Sequence, residues 1–234
     1  YARQFLGQME KPDVDLIEAA ALQLVAKEIF RMSDQVRDIL KKTIELVKNE
    51  EVKSIDGLKE NGEQVERLGK CITEYLAALF SSGSLTEQQA AQTASLMCVL
   101  SDVERMGTLS VEMAECMLER SDRKYKYTPE AMDELQKSLK VLNKMFCDSL
   151  KALQGDDGIE PGKMMKRKDK LLDLDIKMRK AHIERVNKGK CKASLTAPFT
   201  NILHLIDRMG NSCINLADVA ESGTSMKYFM LEEK

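Results

Sequence analysis

The sequence predicts an all-α protein built of two antiparallel three-helix bundles that are related by internal duplication. Three observations predict this architecture. Apolar residues recur at steps of three and four along most of the chain, Pro and Gly are scarce, and one short phrase occurs twice, 103 residues apart. No period-two alternation is long enough to indicate a β-strand.

Apolar stripes indicate the long helices of each half. The first stripe comprises Leu22, Val25, Ile29, Met32, Val36, Ile39 and Leu46. A second comprises Leu96, Val99, Val103, Met106, Ser110, Met113 and Met117, and a third comprises Leu135, Leu139, Leu142, Phe146 and Leu153. Helices of this kind would be roughly 40 Å long, and short connections between long helices favour antiparallel packing.

Polar and glycine-containing breaks divide the chain into six helices in two groups of three. Thr86 stands at an N-cap position with Gln89 at capping-box spacing, and Thr128 precedes Pro129 as an N-cap before a first-turn proline. The predicted units are residues 19–122 and residues 128–222. Residues 1–18 are expected to be a leader outside the repeat, and residues 223–234 a short tail.

Composition excludes several classes of function. The net charge is −2, only 5% of residues are aromatic and Trp is absent, so we expect no nucleic-acid partner. Every apolar run is shorter than the roughly 18 residues that a membrane-spanning helix needs, so we expect no membrane span. Six cysteines without a CxxC pair are typical of small buried hydrophobes in a reducing cytosol. There is no phosphate-binding glycine loop and no acyl-transfer motif, so we expect no enzymatic activity.

The repeated phrase places an acid at the same point of each half. "SDVERMGTLSVEMAE" contains Glu104, and "HLIDRMGNSCINLADVAE" contains Asp207. In a helix, Thr108 lies one turn after the first acid and Asn211 one turn after the second. A carboxylate with one further oxygen ligand is a weak site for a hard cation.

The same phrase repeats an arginine and a glycine. A glycine inside a helix costs about 1 kcal/mol relative to alanine, so Gly107 and Gly210 predict that another helix or a ligand approaches closely there. Arg105 and Arg208 are expected to reach outward to a partner carboxylate or phosphate. Core packing alone would not require the acid and the arginine to be repeated.

The two phrases resemble the signature of PhoU-type phosphate-uptake regulators. The stretch "IKMRKAHIERVNKGKCKASLTAPFTNILHLIDRMGN" is still more similar to the PhoU-like cytoplasmic domain that follows the membrane part of bacterial Na⁺/phosphate cotransporters. The resemblance covers roughly residues 19–222. It implies two three-helix bundles, a regulatory role in phosphate uptake and, in some members, metal clusters on acidic helix faces.

On this resemblance we expect a non-enzymatic regulatory domain in the cytoplasm, at the inner face of the cell membrane. The expected partner is a membrane phosphate transporter, either the chain's own transmembrane part or a separate protein, and a sensor kinase or a second copy of the chain are further candidates. The residues expected to make these interactions are Glu104, Arg105, Asp207, Arg208, Arg179, His182 and Arg185.

A metal-binding helical bundle is the alternative function. Its anchors would be Glu104 and Asp207, with help from Asp34 and from Glu115 or Asp218. The family motif usually carries a second Asp one turn after the first acid, and this chain has a hydroxyl and an amide there instead. No cofactor is therefore certain, a metal ion is a possibility, and a helical scaffold without a link to phosphate is a third reading.

Three further segments have open interpretations. His182 is either a phosphate or partner contact or a histidine on the helix surface. The basic run at residues 163–170 either meets anionic lipid headgroups or is a solvated helix start. Residues 1–18 resemble a segment of the excision-repair ATPase UvrA, but no ATPase motif follows, so we treat that segment as foreign to the fold.

Overall fold

The computed structural model describes residues 14–48, 54–121, 126–155 and 161–222. These residues form six long α-helices and a short 3-10 turn, Ala193–Leu195, with no β-strand among them. The helices are α1 (Val14–Lys48), α2 (Asp56–Ser81), α3 (Glu87–Ser121), α4 (Pro129–Leu153), α5 (Pro161–Asn187) and α6 (Thr196–Glu221). The predicted all-α fold with six helices is confirmed.

The helices pack in two groups of three. Each of α1, α2 and α3 contacts the other two, and α4, α5 and α6 do the same. The groups meet along two helix pairs, α3 with α6 and α1 with α4, so α2 and α5 lie on the outside. The third helix of each group is therefore the central one.

The predicted apolar stripes form the core. All members of the second and third stripes are buried, and in the first stripe only Leu46 is partly exposed. Val103 and Ile206, which occupy matching places in the repeated phrase, are both buried. Matching burial at matching positions is what two copies of one helical unit would have.

Two predicted caps begin helices of the structure. The Thr86 backbone N–H donates to Gln89 Oε1 at 2.9 Å, and the Gln89 N–H donates to Thr86 Oγ1 at 3.2 Å, which closes the capping box of α3. The Ala131 N–H donates to Thr128 Oγ1 at 3.3 Å at the start of α4.

The ends of the chain bear on the predicted leader and tail. The expected tail and residues 1–13 lie outside the described residues. Helix α1 begins at Val14, so the last five residues of the expected leader are helical, and the buried Glu18 contacts Ser84 after α2. The end of that segment is therefore packed into the first bundle.

Cysteine burial follows the prediction only in part. All six cysteines are free, and Cys191 and Cys213 are buried, whereas Cys71 and Cys98 are exposed. Within the described ranges, no helix is both long enough and apolar enough to cross a membrane.

Candidate functional site

The two copies of the repeated phrase lie on neighbouring helices at the centre of the molecule. Asn215 Nδ2 donates to Asp102 Oδ1 at 3.2 Å, and Asn201 Nδ2 donates to Cys116 Sγ at 3.3 Å. Early residues of α3 thus contact late residues of α6 and the reverse, so the two helices run antiparallel. The two acid–Arg–Met–Gly cores face opposite directions along one helix pair.

The two repeated glycines sit where helices of their own bundle come close. A Cβ on Gly107 would lie 3.3 Å from Val36 Cγ2 of α1 and 3.5 Å from Val65 Cγ1 of α2. A Cβ on Gly210 would lie 3.1 Å from Leu171 Cδ1 of α5. The predicted close approach is confirmed, and its cause is packing between helices.

The acid of the first repeat is partly buried, and no basic side chain of the described ranges pairs with it. Glu104 lies across Gly69 of α2 so closely that a Cβ at that glycine would overlap its carboxylate. Burial raises the pKa of Glu104 above its usual range, and the nearby Glu66 carboxylate adds to the increase. Burial therefore disfavours the ionised form of this carboxylate, and the space that the carboxylate occupies exists because residue 69 has no side chain.

The acid of the second repeat has a different neighbour. Lys168 Nζ of α5 lies 2.5 Å from Asp207 Oδ1 and also donates to the Asp207 backbone carbonyl at 3.2 Å. Asn211 Nδ2 is 3.4 Å from the other carboxylate oxygen. An ammonium group occupies the position that a metal ion would need, so the two halves are not equivalent at their acids.

The repeated arginines are the exposed part of the phrase. Arg105 and Arg208 are both exposed, and within the described part of the chain neither has an ion-pair or hydrogen-bond partner. Both project from the central α3–α6 pair, one from each copy of the phrase. They are available to a carboxylate or phosphate group of a partner.

An acidic groove of about 450 Å³ runs between α2 and α3. It is lined by Glu63, Glu66, Glu112 and Glu115, and Lys59 Nζ pairs with Glu115 at 2.9 Å. Even so, no group of three or more His, Cys, Asp or Glu side chains is arranged to hold a metal ion in the ranges that the structure describes.

The residues named as helpers of a metal site do not assemble with the anchors. Asp34 pairs with Arg37 at 2.9 Å on α1, Glu115 pairs with Lys59, and Asp218 is exposed near the end of α6. Together with the Lys168 pair at Asp207, this arrangement leaves the metal-binding alternative without support.

The expected surface run Arg179, His182 and Arg185 is not a free surface. His182 is only 2% exposed, so both the predicted partner contact and the surface-histidine interpretation are wrong. Its ring stacks on Phe199 at 4.6 Å, and its Nε2 lies 3.0 Å from Thr196 Oγ1. Burial lowers the pKa of His182, and the Arg185 charge lowers it further.

The two arginines of that run are used inside the protein. Arg179 makes two hydrogen bonds to Asp175, at 2.7 Å and 3.0 Å. Arg185 makes two to Glu134 of α4, at 3.0 Å and 3.3 Å, which ties α5 to α4. Both arginines therefore have partners within the protein, and their expected role as partner contacts stays a prediction.

Sequence reasoning missed Lys168 and Gly69 as parts of the site. Lys168 belongs to the basic run at residues 163–170, which was assigned as a whole to lipid or to solvent. Nothing in the spacing singles it out, because its position opposite Asp207 depends on how α5 packs on α6. Its neighbour Arg167 also turns inward and pairs with the buried Asp148.

Comparison with known proteins bears directly on this architecture. Residues 29–117, from within α1 to near the end of α3, match the PhoU domain. The chain is PhoU-like. The phosphate-specific transport system accessory protein PhoU homolog 1 of Thermotoga maritima is 24% identical over 209 residues, which cover 88% of each protein.

Two solved PhoU structures have the same fold. The crystal structure of PhoU from Pseudomonas aeruginosa has a TM-score of 0.67 at 13% identity and covers 88% of this chain and 94% of its own. The phosphate transport system regulatory protein PhoU from Streptococcus pneumoniae has a TM-score of 0.71 at 15% identity and covers 87% of this chain and 96% of its own.

These matches confirm the PhoU resemblance read from the repeated phrase. They also agree with the helical-bundle fold, since each solved structure is covered almost from end to end by this PhoU-like chain. They do not bear on the resemblance of the second half to cotransporter domains or on the UvrA-like segment.

Proposed function

We propose that this chain is a non-enzymatic regulator of phosphate uptake that docks on a membrane phosphate transporter. The observation that carries the proposal is the similarity to the Thermotoga maritima accessory protein, which extends over 88% of both proteins and not over one helix pair alone. That protein is named as an accessory of a phosphate-specific transport system. The same class of partner is proposed here.

The proposed docking surface is the exposed side of the α3–α6 pair. Arg105 and Arg208 are exposed there, and a guanidinium can bind a carboxylate or phosphate through two parallel hydrogen bonds. Glu104 and Asp207 lie next to them and would set the local charge. Because the arginine occurs once in each bundle, a partner that contacts both would bridge the two halves of the molecule.

Regulation would follow from differential binding. A domain that binds one conformation of a transporter more tightly than another shifts the equilibrium toward the first. No chemical step is required of the regulator. The proposed location is the inner face of the cell membrane, where a sensor kinase or a second copy of the chain would compete for the same surface.

The direct test is capture of the transporter by the purified chain. Membranes from the source cells are solubilised, and binding of their phosphate transporter to the immobilised protein is measured. Arg105→Ala with Arg208→Ala is expected to weaken capture at least about tenfold, because buried charge-assisted contacts at an interface are costly to lose. Equal capture by the parent and the variant would contradict the docking surface.

The matched control removes two other exposed arginines. Arg31 pairs with Glu28 at 2.9 Å and Arg67 pairs with Glu63 at 3.5 Å, both on the helix surface of the first bundle. Arg31→Ala with Arg67→Ala makes the same change in charge and loses only two surface ion pairs, which contribute little. This control is expected to capture the transporter as well as the parent does.

Attachment to a Na⁺/phosphate cotransporter is the more specific form of the proposal. It is supported by the resemblance of residues 176–211 to the domain that follows the membrane part of such proteins. Reading the gene upstream of the first codon tests it. Membrane-spanning helices encoded in the same frame would make this chain part of the transporter, and a start codon directly upstream would favour a separate regulator.

A further inference from the structure

Helix α5 exposes a straight line of large apolar side chains. Met165, Leu172, Ile176 and Ile183 are 53%, 52%, 57% and 57% exposed, and we call them the α5 stripe. Their spacing of seven, four and seven residues keeps them within about 40° of one another around a helix. Leu172 and Ile176 are one turn apart, and Met165 and Ile183 each lie about 10 Å further along the helix, so the four side chains form one line and not scattered exposure.

The bundle itself does not require this stripe. The core side of α5 is supplied by other residues, including Met164, Leu171 and Met178, which are all buried. Helix α2 holds the equivalent outer place in the first bundle, and its large exposed apolar residues are Tyr75 and Phe80, both in its second half. A polar outer face is therefore compatible with the repeat.

Positive charge is concentrated around the same helix. Residues 162–192 contain twelve Lys and Arg against four Asp and Glu, a net charge of +8 in a chain whose total is −2. The remaining residues therefore carry −10. By contrast α2 contains three Lys and Arg against five Asp and Glu. The molecule is strongly polarised, and its positive pole coincides with the α5 stripe.

Eight of the nine lysines of this segment are exposed, and Lys168, which pairs with Asp207, is the exception. Arg167, Arg179 and Arg185 each pair with an acidic side chain of the protein. Eight lysines of the segment are exposed, against three exposed acids, Asp169, Asp173 and Glu184. The exposed lysines are Lys163, Lys166, Lys170, Lys177, Lys180, Lys188, Lys190 and Lys192.

We propose that α5 rests on an anionic lipid bilayer surface, with the α5 stripe inserted among the acyl chains and the surrounding lysines at the headgroups. Around the helix, Asp169 and Lys180 lie about 40° and 60° from the stripe, and Lys166 and Lys177 lie about 100° and 120° from it, so the lysines stand on its solvent side. An apolar line beside a lysine-rich face is the arrangement with which amphipathic helices bind in the plane of a membrane interface. Each lysine near an anionic surface strengthens binding about fivefold. Helices α2 and α3 carry five basic against eleven acidic residues, and this acidic part of the first bundle is repelled by the same surface, which orients the molecule with α5 toward it.

This inference deepens the proposed function, because it rests on the chain working beside a membrane transporter. It adds how the regulator is held there. Lipid contact through the outer helix α5 leaves the α3–α6 arginines free for the transporter. The two surfaces are distinct, so each can be removed without the other.

The test is sedimentation of the full chain with vesicles. Vesicles of phosphatidylcholine alone are compared with vesicles of phosphatidylcholine mixed with about 30% phosphatidylglycerol, at low and at high salt. The parent is expected to bind the anionic vesicles and to be released by salt, because exposed charges are screened over about 10 Å at 0.1 M. Leu172→Gln with Ile176→Gln is expected to weaken binding at least about tenfold, since it removes two inserted side chains.

Two further variants separate the contributions. Lys166→Gln with Lys180→Gln is expected to weaken binding to anionic vesicles about 25-fold, about fivefold for each lysine, and to reduce its dependence on salt. Tyr75→Gln with Phe80→Gln removes two exposed apolar side chains from α2 and is expected to bind as the parent does. The four apolar residues replaced by Gln in these variants are all exposed, so we expect the variants to keep the fold. Circular dichroism checks this expectation.

Absence of binding to anionic vesicles would overturn the proposal, as would binding that survives the α5 stripe variant. If the stripe variant abolishes regulation in cells while the parent ignores vesicles, the occupant of α5 is a protein and the lipid assignment is wrong. Failure of vesicle binding with intact capture of the transporter would leave the proposed function standing. Failure of capture with intact vesicle binding would contradict the proposed function and leave the lipid contact of α5 standing.

Discussion

Glu104 and Asp207 occupy matching positions and meet different neighbours. Glu104 lies over Gly69 with the Glu66 carboxylate nearby and no basic partner among the described residues, whereas Asp207 is paired with Lys168. Asp207 is therefore part of an ion pair between α5 and α6. Glu104 remains a partly buried acid whose ionised form is disfavoured by burial, which is a cost to folding.

Replacement of Glu104 tests this cost. Because the folded state raises its pKa, the protein binds a proton at this site more tightly than the unfolded chain does. The destabilisation is therefore full at neutral pH and is relieved as the pH falls toward the usual range for Glu. Glu104→Gln is expected to increase the free energy of unfolding at pH 7 by up to about 1 kcal/mol, and by less at pH 5.

Urea denaturation at the two pH values measures this effect. Glu60→Gln, at an exposed position of α2, is the control and is expected to change stability little at either pH. A Glu104→Gln variant that is less stable than the parent at pH 7, or whose gain grows at pH 5, would contradict the account of this carboxylate.

Single residues also mark the limits of prediction from sequence. The sequence pattern found Glu104 and Asp207 and predicted close packing at Gly107 and Gly210. It could not find Lys168, because the partner of a lysine depends on how two helices pack. His182 was misassigned for the same reason, since a histidine between charged residues looks exposed until α5 is rotated onto Phe199.

At the scale of helices, the capping residues at helix N-termini were predicted more accurately than the partners of charged side chains. The capping box of α3 and the Thr128 cap of α4 depend on residues three apart in sequence, so local spacing specifies them. In the basic run at residues 163–170, some side chains face the protein and others face solvent. Local spacing does not specify which side chains do which. Arg167 and Lys168 pair within the protein, while the lysines on either side remain exposed.

The capping box offers a prediction at this scale. Thr86→Ala removes the side-chain acceptor of the Gln89 N–H and is expected to lower the free energy of unfolding by about 1 kcal/mol. Ser95→Ala, in the middle of the same helix, removes only a bond to the Ala91 carbonyl and is expected to be neutral. Chemical denaturation compares them, and equal effects would show that the cap does not stabilise α3.

At the scale of the whole molecule, the two groups of three helices and the place of the repeated phrase on the third helix of each group agree with the predicted internal duplication. The periodicity and the repeat were sufficient to predict two bundles of three helices. The uneven distribution of charge over the molecule was not predicted. It becomes apparent only when the structure shows which charged side chains of α5 are exposed and which are paired. The two outer helices differ in charge, since α2 is acidic and α5 is strongly basic.

Phosphate uptake in living cells tests the central claim most directly. Cells that lack the gene are compared with cells that carry the parent, Arg105→Ala with Arg208→Ala, or the control Arg31→Ala with Arg67→Ala. Without the gene, the rate of uptake is expected to stop responding to the supply of phosphate, and the parent and the control should restore the response while the Arg105/Arg208 variant does not. An uptake rate that responds to phosphate supply equally in the presence and the absence of the gene would contradict the account.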